Sequence, residues 1–323
     1  MNHPERLDLN HPADLAAIVP YLLGYHPRNQ LAILALRGTS VLFAAATPLP
    51  YSDPSEDGTA VAVRIAAHGP ERVLLIGYGD HETVTIAVTH TTDAFTILGV
   101  TVPVALRVHD DRLWHLACGS PEHQSSGIPF DPSTTAAAAR ATYLGLTAAQ
   151  DIDTLATRLG PITGAERDAM NSALAAARQH LDELAAGTTG VVRSRLRSLL
   201  DDLLHEALST YRQHDRLPDD RAALLLTLLT VASLRDDVLE QVHGNDVDID
   251  LWTDLTRRAD PDRTAAPATL LSLAALQRGS GVLARLAIER AREADPNDSL
   301  IQTVVDAIAC GIDPAVVHRL LHE

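Results

Sequence analysis

The sequence contains no lysine, and all 26 of its basic residues are arginines. Schiff-base enzymes and P-loop nucleotide-binding proteins need a lysine, so both classes are excluded. The sequence also lacks the Gly-x-Gly-x-x-Gly, Gly-x-Ser-x-Gly and His-Glu-x-x-His segments. These segments are typical of dinucleotide-binding folds, serine hydrolases and zinc proteases. The motifs therefore do not identify a reaction.

Cysteine is scarce, since Cys118 and Cys310 are the two cysteines of the chain. One long-range disulfide is the most that they could form, so a disulfide framework is excluded. The N-terminal segment is polar and has no apolar core of a secretory signal. The apolar runs are shorter than the roughly 20 residues that span a bilayer. We therefore expect a cytoplasmic protein with reduced thiols and no membrane association.

Positive charge is scarce relative to negative charge, with 26 basic and 42 acidic residues and a formal net charge of -16. A strongly negative surface repels phosphate backbones, so we expect no nucleic-acid partner. The densest basic run consists of Arg193, Arg195 and Arg197, which alternate with other residues on a predicted helix. We interpret this run as a solvated helix face.

Residues 1–130 alternate between strand-like and helix-like segments, which predicts an α/β domain with a mixed sheet of about five strands and flanking helices. Two apolar runs joined by residues 37–40 indicate a hairpin, and residues 109–112 indicate a second tight turn. Residues 81–100 have strand propensity, but a crossover helix suits their place between two strands. Asp14 follows a first-turn proline and is expected to offset the exposed amides of its own helix.

Residues 131–323 have helical periodicity and predict an all-α domain, after a proline-containing boundary at residues 128–135. A segment from residue 218 to 243 includes the run RAALLLTLLTVASL, which predicts a central buried helix. The stretch TLLSLAALQRGSGVLARLAIERAREADP is similar to one tetratricopeptide unit, with two helices, a glycine-containing turn and a final proline. One such unit favours a helical pair within the domain over a peptide-binding array.

Several segments together resemble an actinobacterial family of unknown function. Its members open with a Ser-Pro-Ala-Asp-Leu segment and a Pro-Tyr-Leu-Leu-Gly motif, which HPADLAAIVPYLLGY matches. The resemblance continues in ERVLLIGYGD, RLWHLACGSPEHQSSG, LWTDLTRRADP and APATLLSLAALQRGSG, and so spans nearly the whole chain. The resemblance implies a family and no activity.

The stretch LWHLACGSPEHQSSG holds the sharpest candidate metal site, made of His115, Cys118 and His123. Zinc accepts imidazole and thiolate ligands, and Glu122 or His109 would supply a fourth. The resemblance implies a Cys-Cys pair where this chain has His123 and the glutamine after it, so a metal or disulfide role of those cysteines is in doubt here. The alternative, which we prefer, is a strand end followed by a polar loop. We predict no cofactor, with zinc as the one candidate.

The candidate ligand-binding residues are Tyr78, Asp80 and His81, which follow a predicted buried strand. In open α/β sheets ligands bind beyond the carboxyl ends of the strands. A glycine-rich strand exit explains the same residues without a ligand. Arg28 is a further candidate for binding an anion, and a solvated loop is its alternative.

His109 lies beside two aspartates, an arrangement that suits acid–base chemistry but is also ordinary in a hairpin turn. With no catalytic motif, we expect a non-catalytic interaction or regulatory protein that binds a protein partner or a second copy of itself. The alternative is a small-molecule-binding protein or enzyme with a site at the sheet edge near Asp80 and His81.

Overall fold

The computed structural model describes residues 11–51, 57–116, 126–144, 146–186 and 189–309. They divide into two compact units. Unit 1 takes its described residues from 11–155 and 279–282, and unit 2 takes them from 156–278 and 283–309. Independent folding of two domains that meet at residue 130 stays a prediction.

The strands of unit 1 form one mixed sheet. They are β1 (Gln30–Arg37), β2 (Ser40–Pro48), β3 (Arg72–Tyr78), β4 (Thr101–His109), β5 (Arg112–His115) and β6 (Ile128–Pro129). Within the described residues their order is β2-β1-β3-β4-β5-β6. The pair β3 and β4 is parallel, and the other neighbouring pairs are antiparallel. The predicted mixed sheet is confirmed, with the two-residue β6 in addition to the expected strands.

Helices cover both faces of this sheet. They are α1 (Pro12–Leu23), α2 (Gly58–Ala66), α3 (His81–Ile97) and α4 (Ala136–Tyr143). On one face α2 and α3 pack over Ile33 of β1 and Leu75 of β3. A Cβ on Gly77 would lie 2.2 Å from Val84 Cγ1, so only glycine allows this approach of α3 to β3. On the other face α1 packs against the sheet, and α4 packs against α1.

The segment at 81–100 forms the predicted crossover helix and not the strand that its propensity favours. Parallel β3 and β4 need a crossover connection, and α3 supplies it. Asp80 begins the helix, because its side chain accepts a hydrogen bond from Thr83 N. A local cap and the sheet topology together outweigh strand propensity here.

The expected place of Asp14 in the first turn of α1 is confirmed, but its hydrogen bond goes to another helix. His11 caps α1, with its side chain accepting from Ala13 N at 3.3 Å. Asp14 lies in the first turn of α1, but its Oδ1 accepts from Ala137 N at 3.0 Å, at the start of α4. The carboxylate therefore satisfies an amide of another helix and joins α4 to α1.

Unit 2 is helical throughout its regular elements. After α5 (Ile152–Arg158), which contains the division between the units, come α6 (Gly164–Ala185), α7 (Thr189–Arg212), α8 (Asp219–Leu228), α9 (Ala232–Leu239), α10 (Asp246–Arg258), α11 (Ala265–Gln277), α12 (Gly281–Ala294) and α13 (Ser299–Ala309). The predicted helical segment at 218–243 divides into α8 and α9, and Thr230 donates its hydroxyl to Thr227 O at the turn between them.

The middle of unit 2 is α11, whose residues from Pro267 to Ala275 are all buried. Ser272 donates its hydroxyl to Ala284 O at 2.9 Å and so joins α11 to α12. The buried α8 agrees with the expectation for RAALLLTLLTVASL in its first half. The likeness of α11 and α12 to a tetratricopeptide pair stays a prediction.

Candidate functional site

The carboxyl ends of the parallel strands β3 and β4 meet at one edge of the sheet. Tyr78 lies opposite Val108 in the parallel register, and Gly79 N donates to Val108 O at 3.1 Å. Gly79 and Asp80 then lead into α3 at His81. The structure thus places Tyr78, Asp80 and His81 in succession at this edge, where open α/β sheets bind ligands.

Tyr78 has a structural contact at this edge. Its side chain is buried, and its hydroxyl donates to Ala16 O of α1 at 3.0 Å. Burial raises the pKa of Tyr78 above its ordinary value, and nearby Tyr25 adds to the rise. The hydroxyl therefore holds α1 on the sheet, on the face opposite to α3.

Asp80 and His81 are exposed at the start of α3. The Asp80 carboxylate accepts from Thr83 N at 2.9 Å, and this amide holds the pKa of Asp80 below its ordinary value. His81 Nδ1 lies 3.4 Å from Thr85 Oγ1 in the next turn of the helix. Asp80 thus caps α3, while the His81 ring stays at the surface beside it.

Arg28 is exposed on the segment between α1 and β1. Because β1 is antiparallel to β3, this segment lies at the same edge of the sheet as the end of β3. Arg28 interacts electrostatically with Asp151, which begins α5 by accepting from Thr154 N at 2.7 Å. Burial lowers the pKa of His26, and the charge of Arg28 lowers it further.

The predicted metal ligands cannot be assembled from the described residues. His115 ends β5, opposite Leu106, whereas Cys118, Glu122 and His123 lie outside the part of the chain that the structure describes. No group of three or more potential metal ligands converges within the described residues. Zinc at this segment stays a prediction.

The His109 cluster forms the predicted hairpin turn between β4 and β5. Asp110 and Asp111 have φ values of 43° and 57°, in the left-handed region that aspartate tolerates in tight turns. His109 Nε2 lies 3.3 Å from Asp110 Oδ2. Turn geometry accounts for both aspartates, and His109 remains at the carboxyl end of β4.

Arg107 is the functional candidate that the sequence reasoning missed. It lies two residues before the end of β4 and is 6% exposed. Ala105 belongs to the core under α2 and α3, so strand alternation places Arg107 on that same face. Its presence inside the apolar run PVALRVH was the available signal. A charged residue at an inward position of a buried strand requires an explanation.

The contacts of the Arg107 guanidinium are few. Nη1 donates to Gly79 O at 3.4 Å, and Cζ lies 3.5 Å from the centre of the Trp114 ring. Nε is buried and has no hydrogen-bond partner in the part of the chain that the structure describes. Burial lowers the pKa of Arg107, and the negative charge of Asp80 acts in the opposite direction. Within the described residues, the structure pairs this charge with no carboxylate.

Trp114 is held in place against Arg107. The two residues face each other in the register of β4 and β5. Gly127 has a φ of 62°, and a Cβ there would lie 2.7 Å from Trp114 Cε2. Arg112 donates to Ser126 O at 2.8 Å and to Gly127 O at 3.0 Å. The loop therefore packs on the indole and fixes the ring beside the guanidinium.

A separate cavity of about 480 Å³ lies in unit 2, at the start of α10. Its most buried polar residue is Asp248, which accepts from His243 N at 2.5 Å and from Asn245 Nδ2 at 3.3 Å. Burial raises the pKa of Asp248, and the His243 amide opposes the rise. Asp246, also at the cavity, forms an ion pair with Arg278. These groups satisfy one another and close the first turn of α10.

None of the helices in the described residues is long and apolar enough to span a membrane. No curated protein and no solved structure matches the chain. A family model described as "Domain of unknown function (DUF4192)" matches residues 12–315, which include both units. The chain therefore belongs to this family of uncharacterised proteins.

Proposed function

We propose that this chain is a cytosolic small-molecule-binding protein whose site lies around Arg107, at the carboxyl edge of β3 and β4. The observation that carries the proposal is the buried Arg107 guanidinium, which has one long hydrogen bond, an aromatic neighbour and, among the described residues, no ion pair with a carboxylate. A buried charge without a counter-charge costs several kcal/mol. A ligand that completes its contacts would offset this cost.

The position of Arg107 supports the same function. It lies beside the end of β3 and the start of α3, at the place where open α/β sheets bind their ligands. Asp80, His81 and His109 are exposed or half-buried around it and would contact a ligand from the solvent side. The proposal concerns binding and assigns no reaction, because a fold class does not select a chemistry.

The first test is thermal unfolding of the full chain with a panel of nucleotides, phosphates, carboxylates, sugars and amines. A ligand at about a hundred times its Kd adds about 2.7 kcal/mol of stability. We expect at least one compound to raise the midpoint of the wild type and not that of Arg107→Met. Arg195→Met is the matched control, since Arg195 is exposed on α7. A panel without any such compound would overturn the proposal.

A second candidate function is a non-catalytic interaction protein that pairs with a protein partner or with another copy of itself. Its support is the solvent side of α3, where Ile97 is 85% exposed and Ile86 is 51% exposed. Large apolar side chains on one helix face are typical of interaction surfaces. Light scattering after size exclusion should show a dimer that Ile97→Asp converts to a monomer. If the wild type is a monomer, the proposal that the chain pairs with another copy of itself is wrong.

A further inference from the structure

We infer that the ligand of the Arg107 site carries an anionic group, a carboxylate or a phosphate, which pairs with the Arg107 guanidinium. This inference rests on the proposed function and deepens it. Its basis is the charge of Arg107 and not only the hydrogen bond that Nε lacks. A water molecule would satisfy Nε but would leave the buried positive charge uncompensated. An anion does both.

Asp80 does not compensate this charge. It interacts electrostatically with Arg107, but its Oδ1 accepts from Thr83 N, where it caps α3. Asp80 is also exposed, so water screens its attraction for Arg107. The described residues therefore leave Arg107 with a nearby screened charge and no direct ion pair.

The guanidinium is suited to an acid group. Its planar fork of N–H donors matches the oxygens of a carboxylate or phosphate, and such pairs are often bidentate. Nε has no hydrogen-bond partner in the described ranges, and the hydrogen bond from Nη1 to Gly79 O is long at 3.4 Å. Trp114 lies against the guanidinium and Gly127 packs on the Trp114 ring, an arrangement that would preorganise the guanidinium for a ligand.

Further positive charge lies on the same face of the sheet. Residues 107 and 114 are register partners, as are 109 and 112, so His109 and Arg112 share the face of Arg107. Arg112 is engaged with the carbonyls of the loop at 126–127. His109 is partly exposed, and its Nε2 lies 3.3 Å from Asp110 Oδ2.

The test uses the full chain and four probes at constant ionic strength: inorganic phosphate, succinate, succinamide and chloride. Binding is followed by tryptophan fluorescence, because Trp114 is in contact with Arg107. Thermal unfolding is the second readout. We expect phosphate or succinate to saturate the wild type with an affinity at least about tenfold higher than for Arg107→Met. Arg195→Met should behave as the wild type, and chloride should have no effect.

The outcomes separate the two proposals. Saturation by phosphate alone identifies a phosphate site, and saturation by succinate alone identifies a carboxylate site. Equal responses of the wild type and Arg107→Met to the anions would overturn the inference. A neutral compound, succinamide or one of the larger panel, that binds through Arg107 while the anions do not would also overturn it but leave the proposed function standing. No Arg107-dependent binding of any compound would overturn both.

Discussion

Arg258 in unit 2 and Arg107 in unit 1 are both buried arginines, but their surroundings differ in charge. Arg258 is fully buried, and its guanidinium binds Asp219 at 2.5 Å and Asp254 at 2.8 Å. It also donates to Leu217 O at 2.8 Å. Among the described residues, Arg107 instead contacts the Gly79 carbonyl and the face of Trp114.

A missing hydrogen bond does not distinguish the two residues, since the Nε atom of Arg258 is also buried without a partner. The distinction is that the fold supplies the counter-charges of Arg258 and supplies none to Arg107 among the described residues. The charge of Arg258 is compensated within the fold, so Arg258 needs no ligand and stabilises unit 2. Arg107 therefore has the surroundings of a binding group.

Arg167 of unit 2 also has a carboxylate nearby, since its Nη1 lies 3.7 Å from Asp260 Oδ1. Arg167 donates to the carbonyls of Arg257, Arg258 and Ala259 at the end of α10, over distances of 2.9–3.1 Å. These carbonyls have no partner within the helix, so a cation at this place is favourable. Arg167 therefore closes the carboxyl end of α10.

The largest expected effect is that of Arg258→Met on unit 2. The substitution removes the Arg258 guanidinium from Asp219 and Asp254, although Arg216 still contacts Asp254 at 3.1 Å. Removing one member of a buried ion pair costs about 3–5 kcal/mol, and we expect the lower end of this range here. Hydrogen exchange of the α10 and α11 amides measures this loss, and Arg195→Met is the exposed control. Exchange unchanged from the wild type would show that the network does not stabilise unit 2.

The second largest effect is expected for Gly127→Ala, which tests whether the loop at 126–127 holds the Trp114 ring in place. Gly127→Ala places a Cβ against the indole at a φ of 62°, whereas Gly99→Ala has a φ of 76° with nothing within 4 Å. A non-glycine residue in strained backbone costs about 1–3 kcal/mol, and both variants pay this term. We expect Gly127→Ala to be the less stable of the two in unit 1 and to shift Trp114 fluorescence. Equal losses would mean that the loop does not hold the ring.

Much of the fold follows from local sequence signals, but the candidate site does not. The turn at 37–40 and a helix in 81–100 were predicted, and both depend on residues close in sequence. The role of Asp80 as the cap of α3 was not predicted. The target of Asp14 was missed because its partner, Ala137, is 123 residues away. Arg107 was missed because its environment depends on the register with β5 and on the packing of α3, which no short segment determines.

A smaller effect is expected at Asp80. Asparagine also caps helices, so Asp80→Asn should keep α3 and remove a negative charge near Arg107. We expect anion affinity to rise by about twofold to fivefold, as for an exposed charge pair. Fluorescence titration with succinate measures the change. An unchanged affinity would show that the Asp80 charge does not reach the bound anion.

The same variant gives a pH dependence. The Thr83 amide lowers the pKa of folded Asp80 from its ordinary value of 3.8. The carboxylate therefore contributes stability above that value, and the contribution is lost as the pH falls through the folded pKa. Acid titrations of the unfolding midpoint should show this loss in the wild type and not in Asp80→Asn. Parallel curves would assign the acid sensitivity to other carboxylates.

The most direct measurement is the stability of Arg107→Met in buffer without phosphate or carboxylate, from hydrogen exchange of the β3 and β4 amides. Methionine keeps the apolar stem and removes the charge. If Arg107 has no counter-charge, the free energy of unfolding of the variant should be higher than that of the wild type or lower by no more than about 1 kcal/mol. The reason is that removing the desolvation cost of the charge offsets the lost contact with Trp114. A loss of about 3 kcal/mol or more, like that expected for Arg258→Met, would show that Arg107 is already paired and would contradict the account.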